Sequence, residues 1–117
     1  MARGFTLTLR REGGTEKQRF DSLEPGLDAL EMEARAFANT ERRWSRTVLK
    51  RTYDSSQLVP LRISIAGRRI NAGVDVRGDG SAEAWTGRWS KAMIELQDGE
   101  SPYTALRRVL GVADAQT

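Results

Sequence analysis

The stretch from Pro25 to Tyr53 constrains the fold more than any other part of this sequence. Apolar residues recur at Leu27, Leu30, Ala34, Phe37, Ala38, Trp44, Val48 and Leu49. That is the i, i+3, i+4, i+7 stripe of a helix with one buried face. Twenty-nine residues of continuous helix would span about 43 Å. A domain of this size has a radius of gyration of about 13 Å. Either the helix breaks at Asn39-Thr40, two residues that prefer caps, or its far end projects toward a partner. Projection is the favoured expectation.

The flanking segments alternate with the period of strands. Phe5, Leu7 and Leu9 alternate with Thr6, Thr8 and Arg10, and Gly13-Gly14 supplies a turn toward a return strand ending at Phe20. Leu61, Ile63 and Ile65, then Ile70, Ala72, Val74 and Val76, form the clearest hairpin, turning at Gly67-Arg68. A third strand is expected through Ala82, Ala84 and Trp85 toward Trp89, and a fourth through Ala92, Ile94 and Leu96. Ser101 and Pro102 open a short helix with Tyr103, Leu106 and Leu110 inward, and Gly111 closes it. The expected class is α+β, a single domain over residues 1–117. An antiparallel sheet of four to six strands carries one long amphipathic helix on a face and a short C-terminal helix.

Cysteine and histidine are both absent. Their absence removes disulfides, thiol nucleophiles, ordinary zinc sites and histidine-based triads from consideration. Asp75, Asp79 and Glu83 recur every four residues around Gly78 and Gly80, but this matches no calcium-loop spacing. An open cleft holding two of Asp75, Asp79, Glu83 and Glu95 would be the remaining route to an enzyme. No enzyme, cofactor or metal is expected. No run of about 18 apolar residues is present, and the first residues hold no signal-peptide apolar region, so a cytoplasmic protein is the expectation.

The charge is mildly basic, with 19 Lys and Arg against 16 Asp and Glu. It is evenly divided, 11 against 9 in residues 1–57 and 8 against 7 in residues 58–117. The densest cations are Arg42, Arg43, Arg46, Lys50 and Arg51, of which Arg42, Arg46 and Lys50 line one helical stripe. Such a stripe can track phosphates or meet an acidic protein partner. The acidic residues Glu24, Asp28, Glu31 and Glu33 precede it, so the helix macrodipole alone favours the same arrangement. Arg68-Arg69 on a hairpin tip and Arg107-Arg108 on the last helix are further basic pairs, read as solvated faces. Trp44, Trp85 and Trp89 are the candidate interface aromatics, with core packing the commoner fate of tryptophan.

The order of helix, antiparallel meander and closing helix is similar to that of double-stranded-RNA-binding domains. The basic start of their second helix is missing at Ser101–Arg108. A long helix before a β-meander also resembles small ring subunits of viral tails and connectors. Neither resemblance carries a motif.

Two functions from different classes remain. The first is a non-enzymatic interaction or assembly protein, a subunit of an oligomer or larger particle. The second is a nucleic-acid-binding module using the basic half of the long helix.

Overall fold

The computed structural model describes residues 4–11, 13–48, 60–88 and 90–112, with 41–48 described as backbone only. The order is β1 (Phe5–Arg11), β2 (Gly14–Phe20), α1 (Leu23–Val48), β3 (Leu61–Gly67), β4 (Ile70–Val76), β5 (Ala82–Thr86), β6 (Ala92–Met93) and α2 (Pro102–Leu110). One six-stranded sheet runs β2-β1-β3-β4-β5-β6, with every neighbouring pair antiparallel. The α+β class expected from the residues is the observed one.

β1 lies between β2 and β3 and is antiparallel to both, so β2 and β3 run parallel. Joining them needs a crossover over one face, and α1 makes it. Register decides which side chains that helix covers. Leu7 stands opposite Ile65, Leu9 opposite Ile63, Ile63 opposite Val74, and Val74 opposite Ala84. Phe5, Leu7, Leu9, Leu61, Ile63, Ile65, Ala72, Val74, Val76 and Ala84 therefore share one face. They form a single core with Leu27, Leu30, Ala34 and Ala38 of α1 and Tyr103 and Leu106 of α2. Both helices lie on that side of the sheet.

Gly26 sets the approach of α1. A Cβ there would sit 2.6 Å from Ile65 Cδ1, so a side chain would force the buried Ile65 or the first turns to shift. Asn39-Thr40 does not break the helix. Thr40 Oγ1 donates to the Ala36 carbonyl at 3.2 Å, which satisfies the hydroxyl without leaving helical geometry. The expected continuation of this helix to Tyr53 lies outside the described residues beyond Val48.

α2 is capped at both ends as its sequence predicts. Ser101 Oγ accepts from Thr104 N at 3.1 Å. Gly111 takes φ +77°, and the Val112 and Gly111 amides return to the Arg107 and Arg108 carbonyls.

The β5–β6 region departs from expectation. β5 stops at Thr86 because Gly87, at φ +117°, turns the chain and packs its backbone on the Ser90 carbonyl. No strand runs on to Trp89, which is outside the described residues. The fourth alternating run shortens to Ala92–Met93, followed by one further bond from Ile94 N to Ala84 O. Only Ile94 of the expected inward set is packed on the core; Ala92 and Leu96 are exposed. Alternation on an edge segment with nothing above it does not produce burial. Among the described residues no helix is long and apolar enough to cross a membrane.

Candidate interaction surface

The face of the sheet opposite the helices carries the second set of alternating side chains. Along β2, β1 and β3 these are Thr15, Lys17 and Arg19, then Thr6, Thr8 and Arg10, then Arg62, Ser64 and Ala66. Further across lie Asn71, Gly73 and Asp75 of β4, with Glu83 and Trp85 of β5. Among the described residues no helix covers this face.

Its two halves differ in construction. On β4 and β5 the long side chains fold over one another. Gly73 faces Trp85, and the indole lies on the bare glycine: a Cβ there would meet Trp85 Cζ2 at 2.6 Å. The Trp85 Nε1–H donates to Asp75 Oδ1 at 3.0 Å. Arg62 clamps the same carboxylate from the neighbouring strand, Nε to Oδ1 at 2.8 Å and Nη2 to Oδ2 at 3.0 Å. Lys91 Nζ stands 3.7 Å from Asp75 Oδ2 and 4.6 Å from the centre of the Trp85 ring. Asp75 and Trp85 are each only 3% exposed, although no helix covers them. Two cations and a fixed N–H donor stabilise the buried carboxylate, and no buried side-chain polar atom among the described residues lacks a partner.

On β2, β1 and β3 the face is open and cationic. Arg10 stands directly opposite Arg62, a like-charge pair that a sheet tolerates only at a cost. Arg62 turns toward Asp75, and among the described residues no carboxylate takes its place beside Arg10. Lys17 is diagonal to Arg10, and Arg19 follows two residues on along β2. No described carboxylate pairs with Arg10, Lys17 or Arg19. The one carboxylate of β2, Glu16, points to the helix side and pairs with Arg11 at 3.2 Å. Threonine and serine hydroxyls fill the positions between the cations.

The helix side has the opposite balance over residues 23–40, where Glu24, Asp28, Glu31 and Glu33 face a single cation, Arg35. Asp28 and Glu31 hold Arg107 of α2 at 2.8 and 2.7 Å, and Arg35 bonds Glu31 at 2.7 Å. Burial pushes the Glu31 carboxyl up, but the two guanidiniums outweigh it and hold the group below the usual range. The same two carboxylates raise Arg107 against the effect of its own burial. Arg107, expected on a solvated face, is a buried tie between the helices at 4% exposure; Arg108 remains outside and clamps Glu100.

The basic sets singled out in the sequence are not brought together. Arg68 and Arg69 form the two-residue tip of the β3–β4 hairpin, at the end of the sheet where Gly26 docks. Both have positive φ, +48° and +69°, a conformation better suited to Asn-Gly. The Arg68 guanidinium lies 5.6 Å from the Phe5 ring. Residues 42–46 lie about 24–30 Å along the helix from Gly26, toward its other end. The side chains of Arg42, Arg43, Trp44 and Arg46 are outside the described residues, as are Lys50 and Arg51. The cations that the fold does gather, Arg10, Lys17, Arg19 and Arg62, were not singled out. The Gly13-Gly14 turn was the available signal, because it sets the register that puts Lys17 beside Arg10.

The turn carboxylates have separate local partners. Asp79 accepts from Ser81 N at 2.9 Å and Ser81 Oγ at 2.6 Å, which lower its carboxyl, and Glu83 pairs with Arg77. Comparisons with protein-family models, with curated proteins and with solved structures give no significant match.

Proposed function

We propose that this chain is a non-enzymatic subunit of a larger assembly, docked on its neighbours through the far end of α1. The observation that carries the reading is a mismatch of lengths. α1 has 26 residues, about 39 Å of helix. The longest strands beneath it have 7 residues, about 23 Å. Ala38 is the last described α1 residue in the core, and the helix continues for ten residues past it to Val48. In the sequence the apolar stripe continues with it, through Trp44 and Val48. A stripe that outruns its own sheet is completed by another subunit. The non-enzymatic part of the reading rests on the carboxylates: Asp75, Asp79 and Glu83 each serve a local ion pair or turn.

Sedimentation velocity on the full chain and on Trp44→Asp tests the proposal. The parent is expected to sediment as a multimer of the 13.1 kDa chain, and Trp44→Asp as a monomer. A parent that stays monomeric at every loading concentration contradicts the assembly reading. A multimer that Trp44→Asp leaves unchanged contradicts the docking end.

A further inference from the structure

The geometry points to a second contact on a different surface: the open half of the sheet, along β2, β1 and β3, binds the phosphate backbone of duplex nucleic acid. The inference goes beyond the assembly reading and does not use the end of α1, so the two can fail separately.

Four cations lie in one patch. Arg10 and Arg62 are directly opposite, about 5 Å apart at Cβ; Lys17 is a diagonal neighbour at about 7–8 Å; Arg19 is two residues farther along β2. Thr6, Thr15 and Ser64 lie between them with Thr8 buried beneath, and hydroxyls beside guanidinium and ammonium groups are the usual donors to phosphate oxygens. Asp75 is the one described carboxylate against the patch, and it is buried and already held by Arg62, Lys91 and Trp85. An evenly divided chain thus folds into a locally one-signed surface, the electrostatic footprint of a polyanion site.

Two observations choose the polyanion. An acidic protein partner would need an apolar anchor at the centre of the contact. Among the described residues the exposed large hydrophobics are Met32, Met93, Leu96 and Val109, on α1, on and after β6, and on α2, none of them in this patch. A single strand would need exposed rings for its bases. Trp85, the described aromatic on this face, is buried and its N–H is taken. Phosphates displayed by a duplex need neither, so the contact reads charge and spacing rather than sequence.

Fluorescence anisotropy of a labelled random-sequence duplex, titrated with the full chain at several salt concentrations, tests this. Arg62 is already paired with Asp75, so three phosphate contacts, from Arg10, Lys17 and Arg19, predict a log–log salt slope of about −2.7, a loss of roughly fortyfold between 50 and 200 mM. Arg10→Thr/Lys17→Thr/Arg19→Thr keeps strand-forming residues and is expected to weaken binding at least tenfold, with a slope near zero. Arg10→Lys/Arg19→Lys is expected to retain both affinity and slope, which separates lost charge from lost folding. Any of four results overturns the inference: no binding at low salt, undiminished binding by the threonine variant, loss of binding in Arg42→Ser/Arg46→Ser instead, or equal affinity for poly-glutamate. The last would assign the patch to an acidic protein.

Discussion

At the scale of single residues, the account rests on how Asp75 is held. Its oxygens receive Arg62, Trp85 and Lys91, so truncation leaves a buried indole N–H and a guanidinium without their acceptor. Asp75→Ala is expected to cost about 2–4 kcal/mol in urea unfolding, moderated because Arg62 can turn to water. Gly73→Ala is expected to cost about 2–3 kcal/mol, because its Cβ would meet the Trp85 ring and the Ile63 carbonyl. The alternation of Ile70, Ala72, Val74 and Val76 puts Asp75 on the polar side of β4. It could not show burial that comes from partners 10 and 13 residues away. Arg107 is misplaced by the expectation of a solvated face, although the pattern holds the signal: it lies four residues after Tyr103, in the same inward stripe as Leu106 and Leu110. Its pairing has a pH signature. Glu31 has a folded-state pKa below its unfolded value near 4.5. The stability it contributes is therefore fully present above that value and lost as pH falls through the folded pKa. Chemical denaturation followed downward from pH 5 should show this loss, and Glu31→Gln should flatten it.

At the scale of elements, local chemistry was the reliable guide. Ser101, Pro102 and Gly111 mark the ends of α2 where the structure puts them. Ser101→Ala is expected to lower stability by about 1 kcal/mol. The β3–β4 hairpin was equally plain in its alternation, but its tip was not. Arg68 and Arg69 occupy left-handed conformations that Asn-Gly adopts with less strain. Replacing the pair with Asn-Gly should raise the thermal midpoint, with a gain of about 1 kcal/mol. The edges were least legible. β2 is exposed along nearly all its length and has one clear apolar residue, Phe20, so its existence depends on pairing with β1 rather than on its own pattern. The run at Ala92, Ile94 and Leu96 had the pattern and lacked the burial. Asn39-Thr40 shows the opposite conflict, where local cap preference yields to the packing of Leu30, Ala34 and Ala38 on the sheet.

At the scale of the whole molecule, the sheet divides the chain into two faces of different chemistry. One makes the core with α1 and α2; the other joins a closed carboxylate cluster to an open cationic half. This division follows from strand order and register, so counts of charge along the chain do not contain it. The cations that dominate the sequence, near the end of α1, are far from the hairpin tip, and those gathered on β2, β1 and β3 are scattered between residues 10 and 62. The helix that outruns its sheet leads to the central claim, that the chain completes itself against other subunits. Light scattering on the full chain across a dilution series measures this most directly. The account predicts a mass several times 13.1 kDa that falls on dilution, and a constant mass of 13.1 kDa at every concentration would contradict it.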